Sequence, residues 1–346
     1  MAGYYMRNCQ LRYIDWMVIH FTHCGRAFLG LLAMLALVAG CENNGTEQQD
    51  MPPKIVNLDD VLVLIPAGPF IMGSDKEDTE HLQQQYGFVK PLFVNEHPRH
   101  EVNIDAFLID KYEVTNAEFK DFVKQTDYPD PVAWIQNGYN VSDDKLRTAH
   151  VDNLRWVATD YFELDMDTRK MTKDELVNAL LKIQRERDVL PVTIINWFDA
   201  QNYCRWRRKR LPTEAEWEKA ARGTEGLEFP WGNEWDVSKT NSGNDQNEDE
   251  PLVPVGTYKT DVSPYGVFGM GGNVSEWVAD WYQAYPGATY QDEDYGDKHK
   301  VVRGGGAGVG HYALSLFFRS ARRQHTVPTT LGTDVGFRCA QDINDD

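Results

Sequence analysis

The chain has 346 residues, 42% of them hydrophobic, which is enough to bury one large domain or two ordinary ones. A formal net charge of −18 repels nucleic acid and anionic membrane surfaces and excludes non-specific binding to either; solubility explains the acid, with calcium binding as the sharper alternative. Of five cysteines, Cys9, Cys24 and Cys41 lie at the N-terminus, so only Cys204 and Cys339 remain for the body.

The first predicted element is an export signal. Arg7, Arg12 and Arg26 make the opening stretch basic, and an apolar run follows from Phe28 to Ala39. That run is shorter than the roughly 20 residues of a membrane span and has the length of a signal-peptide core. It ends in Leu37-Val-Ala-Gly-Cys41, which looks like a bacterial lipobox. The expectation is a signal peptide over 1–40 and a lipid on the Cys41 thiol; an uncleaved signal-anchor helix is the alternative. The stretch before Met17 is long for such a signal, which leaves a later start open. Residues 41–57 are polar and aperiodic and read as a flexible tether. Glu42, next to the lipidated cysteine, points to the outer rather than the inner membrane, so the expected place is the bacterial cell envelope, lipid-anchored and facing the periplasm.

A single globular domain is expected over 58–342. Val61 to Gly73 reads as two short strands around a Pro/Gly turn, and His100 to Asp110 alternates as a second pair. Thr115-Asn-Ala-Glu118 is a capping box that starts a helix with Phe119, Phe122 and Val123 on one face. Residues 128–190 interrupt the plan as an insertion; inside it Thr172-Lys-Asp-Glu175 caps a helix with Leu176, Leu180, Leu181 and Ile183 inward. This helix is either packed on the domain or offered to a partner. Asn196 to Asp199 opens the next helix, with Ala200, Tyr203 and Cys204 at helical spacing. Thr213-Glu-Ala-Glu216 opens another, with Trp217, Ala220 and Ala221 inward. Beyond Gly223 the pattern is loops and short strands, in keeping with 27 Gly and 10 Trp, a composition of irregular turns pinned by large aromatic anchors.

Nine segments together resemble the formylglycine-generating enzyme (sulfatase-modifying factor) family, in that family's order. They are Ile65 to Ser74, Glu96-His-Pro-Arg99, Tyr112-Glu-Val-Thr-Asn116, Pro191 to Trp197, Arg210 to Glu218, Phe229-Pro-Trp-Gly-Asn233, Gly271 to Trp277, Arg303-Gly-Gly305 and Val335-Gly-Phe-Arg-Cys339. The resemblance implies an α+β fold, irregular and loop-rich, a single domain related to C-type lectins. Most of these signatures read as fold rather than chemistry; Trp217, for instance, is placed to bury its ring under its helix.

The resemblance also implies an activity: oxidation of a sulfatase cysteine to formylglycine with O₂ and copper held by two thiolates, soft ligands that suit Cu(I). The family's cysteines lie four and nine residues after the Gly-Gly pair, where this chain has Val309 and Leu314. The family's serine after the pair is Gly306, and its aromatic residue before the Glu-Trp pair is Ser275. Copper is therefore not expected. Iron on two histidines and a carboxylate finds no trusted spacing among His97, His100, His299, His311 and His325. His311 is kept as a candidate because it falls within the pocket segment. Arg319, Arg322 and Arg323 frame the cleft, either as structural ion pairs or to recognise an anionic ligand. Calcium is the metal the resemblance favours, at Gly269 (an Asn in the family), Gly272, Val274 and Glu276, and at Asn241, Ser242, Asn247 and Asp249. A disulfide between Cys204 and Cys339 matches one family bridge; the second bridge's positions hold Ala221 and Ser320. The readings that remain are a non-copper binding or scaffold lipoprotein that serves an exported protein or peptide partner, an oxidoreductase on another metal, and a genuine formylglycine-generating enzyme, which the missing thiols disfavour.

Overall fold

The computed structural model describes residues 62–162, 164, 166–243, 252–307 and 315–343. The signal, Cys41 and the tether lie outside these residues, as do Asn247, Asp249, Val309, His311 and Leu314. The described chain opens on β1 (Leu62–Ile65) and β2 (Gly68–Met72), then α1 (Leu82–Tyr86), β3 (His100–Ile104) and β4 (Phe107–Asp110). The strands of each predicted pair separate: β1 pairs antiparallel with β4 and β2 with β3, so the Pro66-Ala67 turn is a corner between two sheets. Helices follow: α2 (Asn116–Thr126), α3 (Val132–Gln136), α4 (Asp143–Thr148), α5 (Val151–Asp160), α6 (Lys173–Asp188), α7 (Trp197–Trp206) and α8 (Glu214–Arg222). The strands β5 (Ser275–Trp281), β6 (Lys300–Arg303), β7 (Arg323–Thr326), β8 (Val335–Gly336) and β9 (Ala340–Asp342) complete an α+β architecture. The sheets run β1-β4-β9, β2-β3 and β7-β6-β5-β8.

All four predicted capping residues, Thr115, Thr172, Asn196 and Thr213, close reciprocal capping boxes with the acid three residues on. Each box satisfies backbone N–H groups that the first helical turn leaves orphaned. The apolar faces then pack. Phe119 and Phe122 of α2 meet Tyr203 and Cys204 of α7, Trp277 of β5 and Phe337. Trp217, Ala220 and Ala221 of α8 lie beneath Phe107, Ile109, Val278 and Val301. Cys204 and Cys339 form a disulfide at the centre of the first cluster. Ala221 and Ser320 are both fully buried.

The stretch 128–190 carries its own helices, α3 to α6, with a local core of Leu146, Leu154, Ala158, Leu176 and Leu180. Leu176, Leu180 and Leu181 are buried as their spacing predicts, while Ile183 is only half-buried. Tyr139 donates to Asp188, and Gln184 donates to the Val141 carbonyl at 2.7 Å, so α6 is held to the chain before it. Among the described residues no helix is long and apolar enough to cross a membrane.

Candidate functional site

The signatures quoted from the sequence converge on one buried ionic frame. The cap of α8 places Glu214 and Glu218 one turn apart on the helix. Arg303, fully buried on β6, donates to Glu214 at 3.0 Å and to Glu218 at 2.5 Å. Arg222 donates to Glu218 at 2.8 Å, and Arg323 grips both Glu214 oxygens at 2.7 and 2.9 Å. Burial alone would raise the Glu218 carboxyl, but Arg303 and Arg222 hold it below the ordinary value. The Arg210 to Glu218 segment and Arg303 therefore build the frame beneath the cleft.

The Gly304-Gly305 pair forms the next layer. A Cβ at Gly305 would enter the Phe318 ring, and one at Gly304 would press on Trp217. At Gly306 a Cβ would collide with the Asp334 carboxylate, so the family's serine does not fit without Asp334 moving. Ser275 is buried, and its hydroxyl accepts from Gln324 Nε2 at 3.2 Å and donates to the Gly304 carbonyl at 3.3 Å.

The three arginines expected to frame the cleft divide into two kinds. Arg319 donates to Glu96 at 2.7 Å and to Glu228 at 2.5 Å, and Arg323 is committed to Glu214. Among the described residues Arg322 donates only to the Phe317 carbonyl, at 3.0 Å, and it lies 4.8 Å over the Phe317 ring. Among the described residues no carboxylate stands within 4.0 Å of it. Burial pulls its guanidinium down to about 10, against the pull of Glu96 and Asp334. Arg322 faces a cavity of about 320 Å³ walled by Phe88, Phe93, Leu316 and Phe317. His311, the other candidate of this segment, lies outside the described residues.

Where Asp292 and His325 line that cavity, the fold assembles a group the sequence did not predict. Ligand-type atoms of Asp292, Asp294 and His325 lie within 4.8 Å of one another. The Lys90 ammonium bridges the two aspartates, at 2.7 Å from Asp292 and 2.5 Å from Asp294. Burial works against the Lys90 charge, yet the two aspartates hold its pKa above the ordinary value. His325 stacks on Tyr282 with ring centroids 3.9 Å apart, and burial lowers its pKa in spite of Asp294. The Asp292 and Asp294 spacing was visible in the sequence, but His325 arrives from a separate strand. Of the other candidate histidines, His97 bonds the Lys76 carbonyl at 2.7 Å, His100, at the start of β3, the Pro98 carbonyl at 2.8 Å, and His299 the Asp294 carbonyl at 3.3 Å.

The loop 269–276 is buried at Met270 to Glu276. Glu276 accepts from Arg338 at 2.7 Å on each oxygen, and Trp217 Nε1 adds a bond at 2.9 Å, so its oxygens already carry donors. Glu113 does not share this arrangement. It is fully buried, both of its oxygens lack a hydrogen-bond partner, and Arg338 stays 3.9 Å away. Burial lifts its carboxyl to about 8, with Arg338 opposing and Glu276 adding to the rise. Gly269, at φ +71°, sits directly over it: a Cβ there would lie 2.5 Å from a Glu113 oxygen. Beside them is a cavity of about 10 Å³ lined by Glu113, Asn241, Asp261, Gly269 and Asn273, room for one water-sized species. Burial raises Asp261 to about 6, although Thr240 and the Gly271 and Gly272 amides donate to it. Asn241 and Ser242 are buried, and the Asn241 amide donates to Asn273 at 2.9 Å. The sequence held Glu113 within the Tyr112 to Asn116 segment; nothing in its spacing told a ligand from a helix-approach residue.

The profile of the sulfatase-modifying factor enzyme 1-like domain matches residues 47–343. The chain is 31% identical over 295 residues to the formylglycine-generating enzyme of Bos taurus, covering 81% of this chain and 74% of that one. It is also 31% identical over 300 residues to the inactive C-alpha-formylglycine-generating enzyme 2 of Bos taurus, covering 81% and 87%. The solved structure of PvdO from Pseudomonas aeruginosa aligns at 23% identity with a TM-score of 0.49, over 82% of this chain and 94% of that one. An irregular α+β domain built on a capped, arginine-clamped helix is the class this fold defines. The chain belongs to the sulfatase-modifying factor enzyme 1-like family.

Proposed function

We propose that this chain is an envelope lipoprotein, anchored through Cys41, whose domain works without copper in the binding, scaffolding or maturation of an exported partner. The observation that carries the reading is the residue set after Gly304-Gly305: Gly306, Val309 and Leu314 stand where the family's copper chemistry needs a serine and two thiolates. Overall identity does not decide the matter, since it is 31% to the enzyme and 31% to its inactive relative. No side chain at 309 or 314 donates an electron pair to Cu(I). The test is a sulfatase-type cysteine peptide incubated with the protein, O₂ and copper. No aldehyde product is expected, and formylglycine at enzymatic rates would overturn the reading.

Calcium is the metal proposed for this domain, as a structural ion. Gly269, Gly272 and Val274 would offer carbonyls and Glu276 a carboxylate, with Asn241, Ser242, Asn247 and Asp249 at a second site. The partnerless Glu113 oxygens support the first site and add Glu113 to it. Hard oxygen ligands suit Ca²⁺, and a buried carboxylate without a donor is costly unless it is neutralised. Bound there, calcium supplies charge compensation and a cross-link between loops.

The second reading, an oxidoreductase on another metal, has one observation in its favour: the juxtaposed Asp292, Asp294 and His325 beside the 320 Å³ cavity. Lys90 would first have to leave the two aspartates.

A further inference from the structure

We infer that the cavity beneath Arg322 is a binding site for a monoanionic carboxylate carried on an aromatic or branched aliphatic stem. The inference rests on reading this cleft as a binding site and names the chemistry of its ligand. At about 320 Å³ the cavity has the size of a small-ligand pocket. Phe88 and Phe317 meet edge to face with centroids 5.8 Å apart, and Phe93 and Leu316 extend the same apolar wall. Such a wall takes a ring or a branched alkyl group.

Polar groups line the rest of the pocket, among them Lys90, Asn95, Glu96, Asp292 and His325, and Arg322 is the cation there that no carboxylate pairs among the described residues. Of the five N–H donors of Arg322, the structure engages one, with the Phe317 carbonyl at 3.0 Å. Ring and carbonyl of the same residue both contact the group. A guanidinium held in this way loses little further freedom when it binds a planar anion through two parallel bonds.

The neighbouring charges set the anion's valence. Arg319 and Arg323 are spent on Glu96, Glu228 and Glu214, and Lys90 is spent on Asp292 and Asp294. Arg322 is left as the lining cation without a carboxylate partner among the described residues, while the carboxylates of Glu96 and Asp292 line the same cavity. A dianionic phosphate would find one cation and two nearby carboxylates, whereas a carboxylate is matched by Arg322 alone. The source of such a group is either a free small acid or the C-terminus of a peptide.

The experiment is isothermal titration of the full chain in detergent with N-acetyl-L-phenylalanine, its amide, the peptide Ala-Ala-Phe, that peptide's C-terminal amide, and phenyl phosphate. We expect an acid to bind at least ten-fold tighter than its amide, from charge-assisted hydrogen bonds the amide cannot make. Arg322→Met should abolish that ratio, and Arg322→Lys, which keeps the charge without the fork, should reduce it. The ratio in the unmodified protein stands whether or not either variant folds. A free small acid as natural ligand predicts that only the first acid binds; a peptide terminus predicts that Ala-Ala-Phe binds at least as well. Equal binding of acids and amides, tighter binding of phenyl phosphate, no binding by any probe, or an unchanged ratio in a folded Arg322→Met protein would each overturn the inference. Copper-dependent turnover would sink the non-copper reading and leave the acid-to-amide ratio untouched, so the two failures are separable.

Discussion

Replacing Glu113 by Gln removes the buried carboxyl without changing its shape, and its effect should depend on both pH and calcium. In chelator, the folded protein holds this proton up to about pH 8, whereas an unfolded glutamate releases it near 4.5. The native state thus binds more protons over that window, and stability falls as pH rises from 4.5 to about 8. At about 1.36 kcal/mol for each pH unit, the full loss is on the order of 4 to 5 kcal/mol, complete above pH 8. Calcium binds the ionised form and displaces the proton, so its affinity should climb through the same window. At 100 times its Kd, calcium restores about 2.7 kcal/mol. The assay is urea unfolding at pH 5.5 and 7.5, with chelator and with calcium, for wild type and Glu113→Gln. In chelator the wild type should lose more stability between the two pH values than the variant, and calcium should stabilise the wild type more than the variant. Asp261, raised to about 6, lines the same cavity and adds to the rise at Glu113, so the difference between the two proteins reads the coupled pair. Parallel pH profiles in chelator, together with an equal calcium response, would refute the reasoning.

Two further outcomes follow from the covalent chemistry of the chain. Opening the Cys204–Cys339 bridge, which spans 135 residues, should cost up to about 5 kcal/mol in the chain-entropy account, and thiol counting on the unfolded, unreduced protein should find neither cysteine free. Cys41→Ala should leave the chain unprocessed and without lipid; an unlipidated mature chain that begins elsewhere would contradict the lipobox reading.

Local sequence rules located most of the helical frame, because a capping box is a contact between residues three apart. Thr115 with Glu118, Thr172 with Glu175, Asn196 with Asp199 and Thr213 with Glu216 all act within one turn. Strand pairing was less legible. The alternation at 100–104 and 107–110 marks two strands, but nothing in it says that β3 turns to β2 while β4 turns to β1 and β9. The site was legible only as a set of types. Arg319, Arg322 and Arg323 look alike in sequence, and what separates them is the distant partners Glu96, Glu228 and Glu214. Glu113 and Glu276 differ for the same reason: Arg338, more than sixty residues past Glu276 in the chain, turns its fork to Glu276 and leaves Glu113 bare. His325 meets Asp292 and Asp294 through β7, a long-range contact with no spacing signature.

The central claim, a sulfatase-modifying-factor domain that keeps its fold and works without copper, is tested most directly by metal analysis of the purified full chain alongside O₂ uptake. The account predicts calcium bound at about one ion per chain or more, copper and iron at trace level, and no O₂ consumption with a cysteine peptide. Stoichiometric copper or iron, with O₂ consumed as the peptide is oxidised, would contradict it.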